Sequence, residues 1–106
     1  MSEKRIQQIE RRIEGIKKAL LEIGPMRPGS LTLQYKDPKQ RTGAYWQISY
    51  TRQMKSRTEY VRREWVRDLR RHIATHKRFK RLVDQWINLS IQQSKLVVQM
   101  TERKKI

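Results

Sequence analysis

The apolar positions of the chain follow three patterns in succession. Between residues 2 and 24, Ile6, Ile9, Ile13, Ile16, Leu20 and Ile23 recur at alternating steps of three and four, an a/d heptad seam that predicts an amphipathic helix. Ser2 suits its N-cap, and Gly24 followed by Pro25 its stop. Gly15 lies off the seam and costs up to about 1 kcal/mol of helix propensity, so three heptads must be stabilised by packing. From residue 29 the period changes to two. Leu31, Leu33 and Tyr35 alternate with Thr32 and Gln34, residues 36–43 read as a turn, and Trp46, Ile48 and Tyr50 then alternate with Tyr45, Gln47, Ser49 and Thr51, predicting two half-buried strands. A turn at 53–55 precedes a third short strand at 57–61, suggested by its β-branched and aromatic residues.

The last glycine and proline are Gly43 and Pro38, so nothing local interrupts a helix over 62–102. Forty residues at 1.5 Å each span roughly 60 Å, which demands partners along the length. Trp65, Leu69, His72, His76, Phe79, Val83, Trp86, Ser90, Gln93, Val97 and Met100 follow one another by threes and fours and predict the core-facing seam. From Leu82 onward this helix is mainly apolar, and it is the natural partner for the first helix. The predicted fold class is α+β: an N-terminal helix, a three-stranded antiparallel meander over 29–61 and a long C-terminal helix, in a single domain of residues 1–106. Ile6, Ile9, Ile13, Ile16, Leu20, Ile23, Trp86, Leu89 and Val97 offer more apolar helix surface than one short chain can bury, so the helices are expected to pair into a dimeric bundle.

Charge changes the picture from fold to function. The chain has a formal net charge of +16, and residues 27–81 carry 16 Lys and Arg against 4 Asp and Glu. That excess favours a polyanionic partner, with DNA or RNA the leading class. The candidate nucleic-acid-binding residues are Arg52, Lys55, Arg57, Arg62, Arg63, Arg67, Arg70, Arg71, Lys77, Arg78 and Arg81, with Lys36, Lys39 and Arg41 in reach from the first turn. On a helical wheel Arg63 and Arg67 lie about 160° and Arg70 about 140° from Trp65, facing away from the predicted seam. Tyr45, on the polar side of its strand, is the candidate for stacking on an unpaired base. No helix-turn-helix, zinc-finger or RNA-recognition signature occurs, so grip on the phosphate backbone is expected rather than reading of base edges.

Other chemistries find little support. The chain has no cysteine, which removes disulfides, thiolate nucleophiles and cysteine zinc sites. His72 and His76 share a helix face, but with Asp68 as the one carboxylate a turn away they read as partly buried seam residues, and no metal or other cofactor is expected. A tyrosine nucleophile among arginines needs a larger scaffold to form a cleft, so the reading is non-enzymatic. No apolar run reaches membrane-spanning length and the N-terminus lacks a signal-peptide core, which predicts a cytoplasmic protein with no membrane partner.

The succession Gly29-Ser30-Leu31, Gln34-Tyr35, Gly43-Ala44-Tyr45-Trp46, Lys55-Ser56-Arg57-Thr58 and Tyr60-Val61, followed by a long helix with Phe79, resembles an uncharacterised family of short prokaryotic proteins known by a domain-of-unknown-function label. The resemblance covers roughly residues 27–95. Members commonly carry a cysteine-rich insert, implying a small metal knuckle, where this chain has only residues 36–42. Ala44 stands where the family has proline, and Arg52-Gln53-Met54 lacks the usual glycine of the second turn. Together these features predict a helix-mediated homodimer that grips nucleic acid, with mobile-element or phage biology the expected setting. The alternative is an accessory subunit docked on a larger nucleoprotein effector, such as a transposase or RNA-guided nuclease.

Overall fold

The computed structural model describes residues 2–104 and has the α+β element order expected from the pattern. Helix α1 (Ser2–Leu21) precedes strands β1 (Ser30–Asp37), β2 (Thr42–Arg52) and β3 (Lys55–Val61); a 3₁₀ turn at Arg63–Trp65 leads into helix α2 (Val66–Lys104). Helix α1 stops three residues short of Gly24. Its exit is tightened by i→i−3 bonds from the Glu22 and Ile23 amides to the Ala19 and Leu20 carbonyls at 3.3 and 3.2 Å, which leaves Ile23 half-buried beyond the helix. The capping role expected of the Ser2 side chain lies outside the described residues.

The chain divides into two compact units, each with its own core. The first unit holds α1 and the part of α2 from Arg78 onward. Ile9, Ile13, Ile16 and Leu89 are buried there, with Leu20, Leu82, Trp86 and Leu96 packed against them. Each fully buried aliphatic side chain contributes about 1.5–3 kcal/mol, which offsets the weak intrinsic helicity of α1. Leu82, Leu89 and Leu96 stand seven residues apart, the heptad spacing that keeps a helix seam on its partner. Most of the expected seam is half-buried, Trp86 included, but at its far end Val97, predicted to be buried, is 45% exposed, because Leu96 takes the inward position.

The second unit, Gly24–Lys77, is a sheet of order β1-β2-β3 with the first turns of α2. Both strand pairs are antiparallel, with Leu31 opposite Ile48, Leu33 opposite Trp46 and Trp46 opposite Val61. Alternation puts Leu31, Trp46, Ile48 and Val61 on one face, where Val66, Leu69 and Ile73 of α2 pack on them. Ile48 is fully buried at the centre. The connector presses on it so closely that a Cβ at Gly29, whose φ is +137°, would lie 3.0 Å from Ile48 Cγ1 and from the Ser49 carbonyl oxygen, so only glycine fits. Trp65 is not part of this core. It sits in the 3₁₀ turn closed by its own amide on the Arg62 carbonyl at 2.9 Å, is 51% exposed, and leaves the inward helical positions to Val66 and Ile73.

All three strands run longer than the pattern suggests, because the turns are tighter. The first turn is reduced to residues 38–41 by the Gln40 amide donating to Asp37 Oδ1 at 3.2 Å and by a left-handed Arg41 at φ 54°. The second is a two-residue turn in which Gln53 and Met54 both take positive φ, 52° and 64°, the conformation of a type I′ hairpin. Neither residue favours it, and left-handed backbone costs about 1–2 kcal/mol per non-glycine residue. Met54 is 98% exposed, so its side chain contributes no packing to offset that cost. Replacing Gln53→Asn together with Met54→Gly should stabilise the protein by about 1 kcal/mol after the entropy cost of glycine, raising Tm by a few degrees in a circular-dichroism melt. An unchanged or lower Tm would contradict the strained-turn account.

Candidate nucleic-acid interface

The second unit carries 13 Lys and Arg against 4 Asp and Glu, and the structure shows how few of those charges are neutralised. Two of the four acids are held by arginine. The Arg27 guanidinium donates to Glu59, which also accepts from the Tyr50 hydroxyl at 3.1 Å. Arg71 pairs with Asp68 on the first turn of α2. The Arg27 donation first, then that of Tyr50, holds the Glu59 carboxyl below the usual carboxylate range. The Arg71 guanidinium does the same for Asp68. The cluster around Glu59 also fixes the connector, because the Arg27 amide donates to the His72 carbonyl at 3.1 Å and its guanidinium lies 5.5 Å from the Tyr50 ring.

The sequence-predicted cations then separate by what they touch. Arg52 and Lys55 stand directly opposite each other beside the β2–β3 turn, and Arg57 follows on the same face opposite Tyr50. Like charges in register repel by roughly 0.2–1 kcal/mol, so this end of the hairpin gains when an anion is near. Arg63 in the 3₁₀ turn, Arg67 in the first turn of α2 and Lys77 are exposed, and among the described residues none of them makes an ion pair. Arg62 and Arg70 are differently committed. The Arg62 guanidinium lies 5.1 Å from the Trp65 ring, and that of Arg70 lies 5.2 Å from the Trp46 ring of β2. Arg70 thus reaches back over the sheet instead of pointing away from the core, since α2 begins at Val66 and packs through Val66, Leu69 and Ile73, next to which position 70 sits. Arg71 is the partner of Asp68. Arg78 and Arg81 are exposed on the first unit.

Among the aromatics, Tyr45 is half-buried, as is Trp46. His72 and His76, half-buried on α2, are the partly buried seam residues expected. Sequence reasoning passed over Tyr60, which is 69% exposed and lies opposite Gln47 in the sheet, on the same face as Tyr45. Its alternation with Thr58 was the available signal. The Arg27–Glu59 pair joins residues 32 apart and leaves no trace in local pattern.

A family model described as a domain of unknown function (DUF6788) matches residues 3–71, more than half of the 106-residue chain. That span takes in α1, the whole sheet and the first turn of α2, where the resemblance read from short motifs began at the connector and ran further along α2. No curated protein and no solved structure matches the chain.

The Glu59 cluster has a definite pH signature. A carboxylate whose pKa is depressed in the folded state contributes stability above its unfolded value, near about 4.3 for glutamate, and loses it as pH falls through the lower folded value. The Glu59→Gln variant should lose stability at neutral pH and show a shallower fall in Tm on acidification below about pH 5. Equal acid sensitivity in the two proteins would remove Glu59 from the account.

Proposed function

The chain belongs to the DUF6788 family, and we propose that it is a non-enzymatic protein that binds nucleic acid through the second unit. The observation that carries this reading is the set Arg52, Lys55, Arg57, Arg63, Arg67 and Lys77, cations with no ion-pair partner among the described residues, beside acids already taken by Arg27 and Arg71. Unpaired cations on rigid strands and a helix suit contacts to phosphate, which need charge at suitable spacing rather than a shaped pocket. Arg62, Arg70 and Arg71 strengthen the local potential while bound to Trp65, Trp46 and Asp68. The reading keeps the chain among short prokaryotic proteins and in the cytoplasm, where DNA and RNA are the abundant polyanions. Among the described residues, no helix is long and apolar enough to cross a membrane.

The same proposal includes a homodimer formed by the first unit. Ile9, Ile13, Ile16 and Leu89 are consumed within the chain, yet Ile87, Ile91 and Val98 are 52%, 49% and 61% exposed. At 100° per residue they lie about 160–180° from Leu89, so α2 is apolar on two opposite sides. Val83, Trp86 and Ile87 line a cavity of about 610 Å³ that continues along Ser90 and Ile91. A second copy of this face would cover the stripe with one of equal character, closing a four-helix bundle.

Two measurements test the proposal. Replacing Arg63, Arg67 and Lys77 by glutamine should flatten the slope of log K against log salt for duplex DNA by about 2–3 units per engaged protomer, with folding retained because these side chains are exposed. An unchanged slope in the folded variant would move the interface elsewhere. For assembly, light scattering should give a dimer at tens of micromolar and a folded monomer for Ile91→Lys. An unmodified protein that is monomeric would contradict the dimer and favour the accessory-subunit alternative, in which the Ile87–Ile91 stripe docks on a larger nucleoprotein effector.

A further inference from the structure

The sheet has two unlike faces. Helix α2 covers the one that carries Ile48, and the register of the strands places Thr32, Gln34 and Lys36 of β1, Tyr45, Gln47 and Ser49 of β2, and Thr58 and Tyr60 of β3 on the other. Among the described residues, that second face carries no carboxylate. Its hydroxyl and amide groups partly satisfy one another, as in the Ser49–Thr58 contact at 3.3 Å and the Gln34 to Thr32 bond at 3.2 Å. Lys36 flanks the tyrosines at one edge, and its chain lies so close to Gly43 that a Cβ there would come within 3.0 Å of the Lys36 Cβ.

The strands are also unequal in extent. Pairing of β2 with β3 ends at Trp46 and Val61, while β2 continues against β1 as far back as Thr42. Where β3 leaves for the 3₁₀ turn, Ala44 and Tyr45 therefore have a strand on one side only. At that corner a cavity of about 440 Å³ is lined by Leu33, Tyr45, Trp46, Tyr60 and Arg63 among others. It is within the size range of small-molecule sites. Its chemistry is narrow: three aromatic residues, an apolar floor from Leu33 and Val61, and a guanidinium at the rim with no ion-pair partner among the described residues.

We propose that this corner holds an unstacked nucleobase of a single-stranded nucleic acid, with Tyr45 and Tyr60 as the stacking surface and Arg63 on the adjoining phosphate. The inference rests on the nucleic-acid reading and narrows it from polyanion to single strand. A duplex hides the π-faces of its bases inside the stack, whereas a single strand presents them, and every base has one. Charge complementarity agrees, because the open face and the cavity carry cations and no acid. Trp46, on the α2-covered side of the sheet, is already engaged by Arg70 at 5.2 Å, which leaves the stacking role to Tyr45 and Tyr60.

The test uses the full chain and fluorescence anisotropy with labelled oligonucleotides of equal length: single-stranded dT, single-stranded U and a mixed duplex, at low salt. Single strands should bind more tightly than the duplex. Loss of one base–aromatic stack corresponds to about 5- to 150-fold, so Tyr45→Ala with Tyr60→Ala should weaken single-strand binding at least tenfold while leaving duplex binding within about twofold. Tyr45→Phe with Tyr60→Phe keeps the rings and should bind single strands as the unmodified protein does, which separates stacking from loss of fold. An alanine variant that weakens duplex and single strand alike, or neither, overturns the inference while leaving phosphate binding in place. Failure of the unmodified protein to bind any of the three polymers overturns both.

Discussion

One glycine-free and proline-free helix has to furnish a wall for two separate cores. Its first turns give Val66, Leu69 and Ile73 to the sheet, and its later turns give Leu82, Leu89 and Leu96 to α1. Neither partner is self-sufficient: α1 is about three heptads of marginal intrinsic helicity, and a three-stranded meander with one apolar face needs that face covered. With the inward positions so assigned, the many arginines and lysines of α2 can occupy only the remaining positions, and the sheet can be covered on only one side. The exposed cations and the open sheet face are thus consequences of the same economy of core.

Much of this was legible in the sequence because it rests on periodicity. The isoleucines of α1 admit one helical reading, and the alternation around Ile48 admits one strand face. Along α2 the predicted seam holds at Leu69, Trp86 and the half-buried His72 and His76, but at its start Trp65 competes with Val66 for the inward position. Only the start of the helix decides between them, and that start is set by the 3₁₀ turn at Arg63–Trp65. The turns were drawn too long for a related reason. Arg41, Gln53 and Met54 adopt left-handed conformations that their residue types do not advertise.

The candidate site was legible as composition and not as geometry. Counting charges identifies the basic middle of the chain, but it cannot tell Arg63, free of ionic partners among the described residues, from Arg71 beside Asp68 or Arg70 over Trp46. Those commitments depend on how α2 is phased against β2 and on the chain folding back through Arg27 to Glu59. Tyr60 joins Tyr45 only once the β2–β3 register is known, and the corner between them exists because β3 stops short of β2.

Under the proposed function, affinity would come from phosphate and preference from exposed bases. The most direct measurement is a titration of the unmodified protein with labelled oligonucleotide across a range of salt concentrations. The account predicts that log K falls linearly with log salt with a slope of about −3 or steeper, as four or more phosphates are neutralised by Arg52, Lys55, Arg57, Arg63, Arg67 and Lys77. Absence of binding at low salt, or an affinity that does not change with salt, would contradict it.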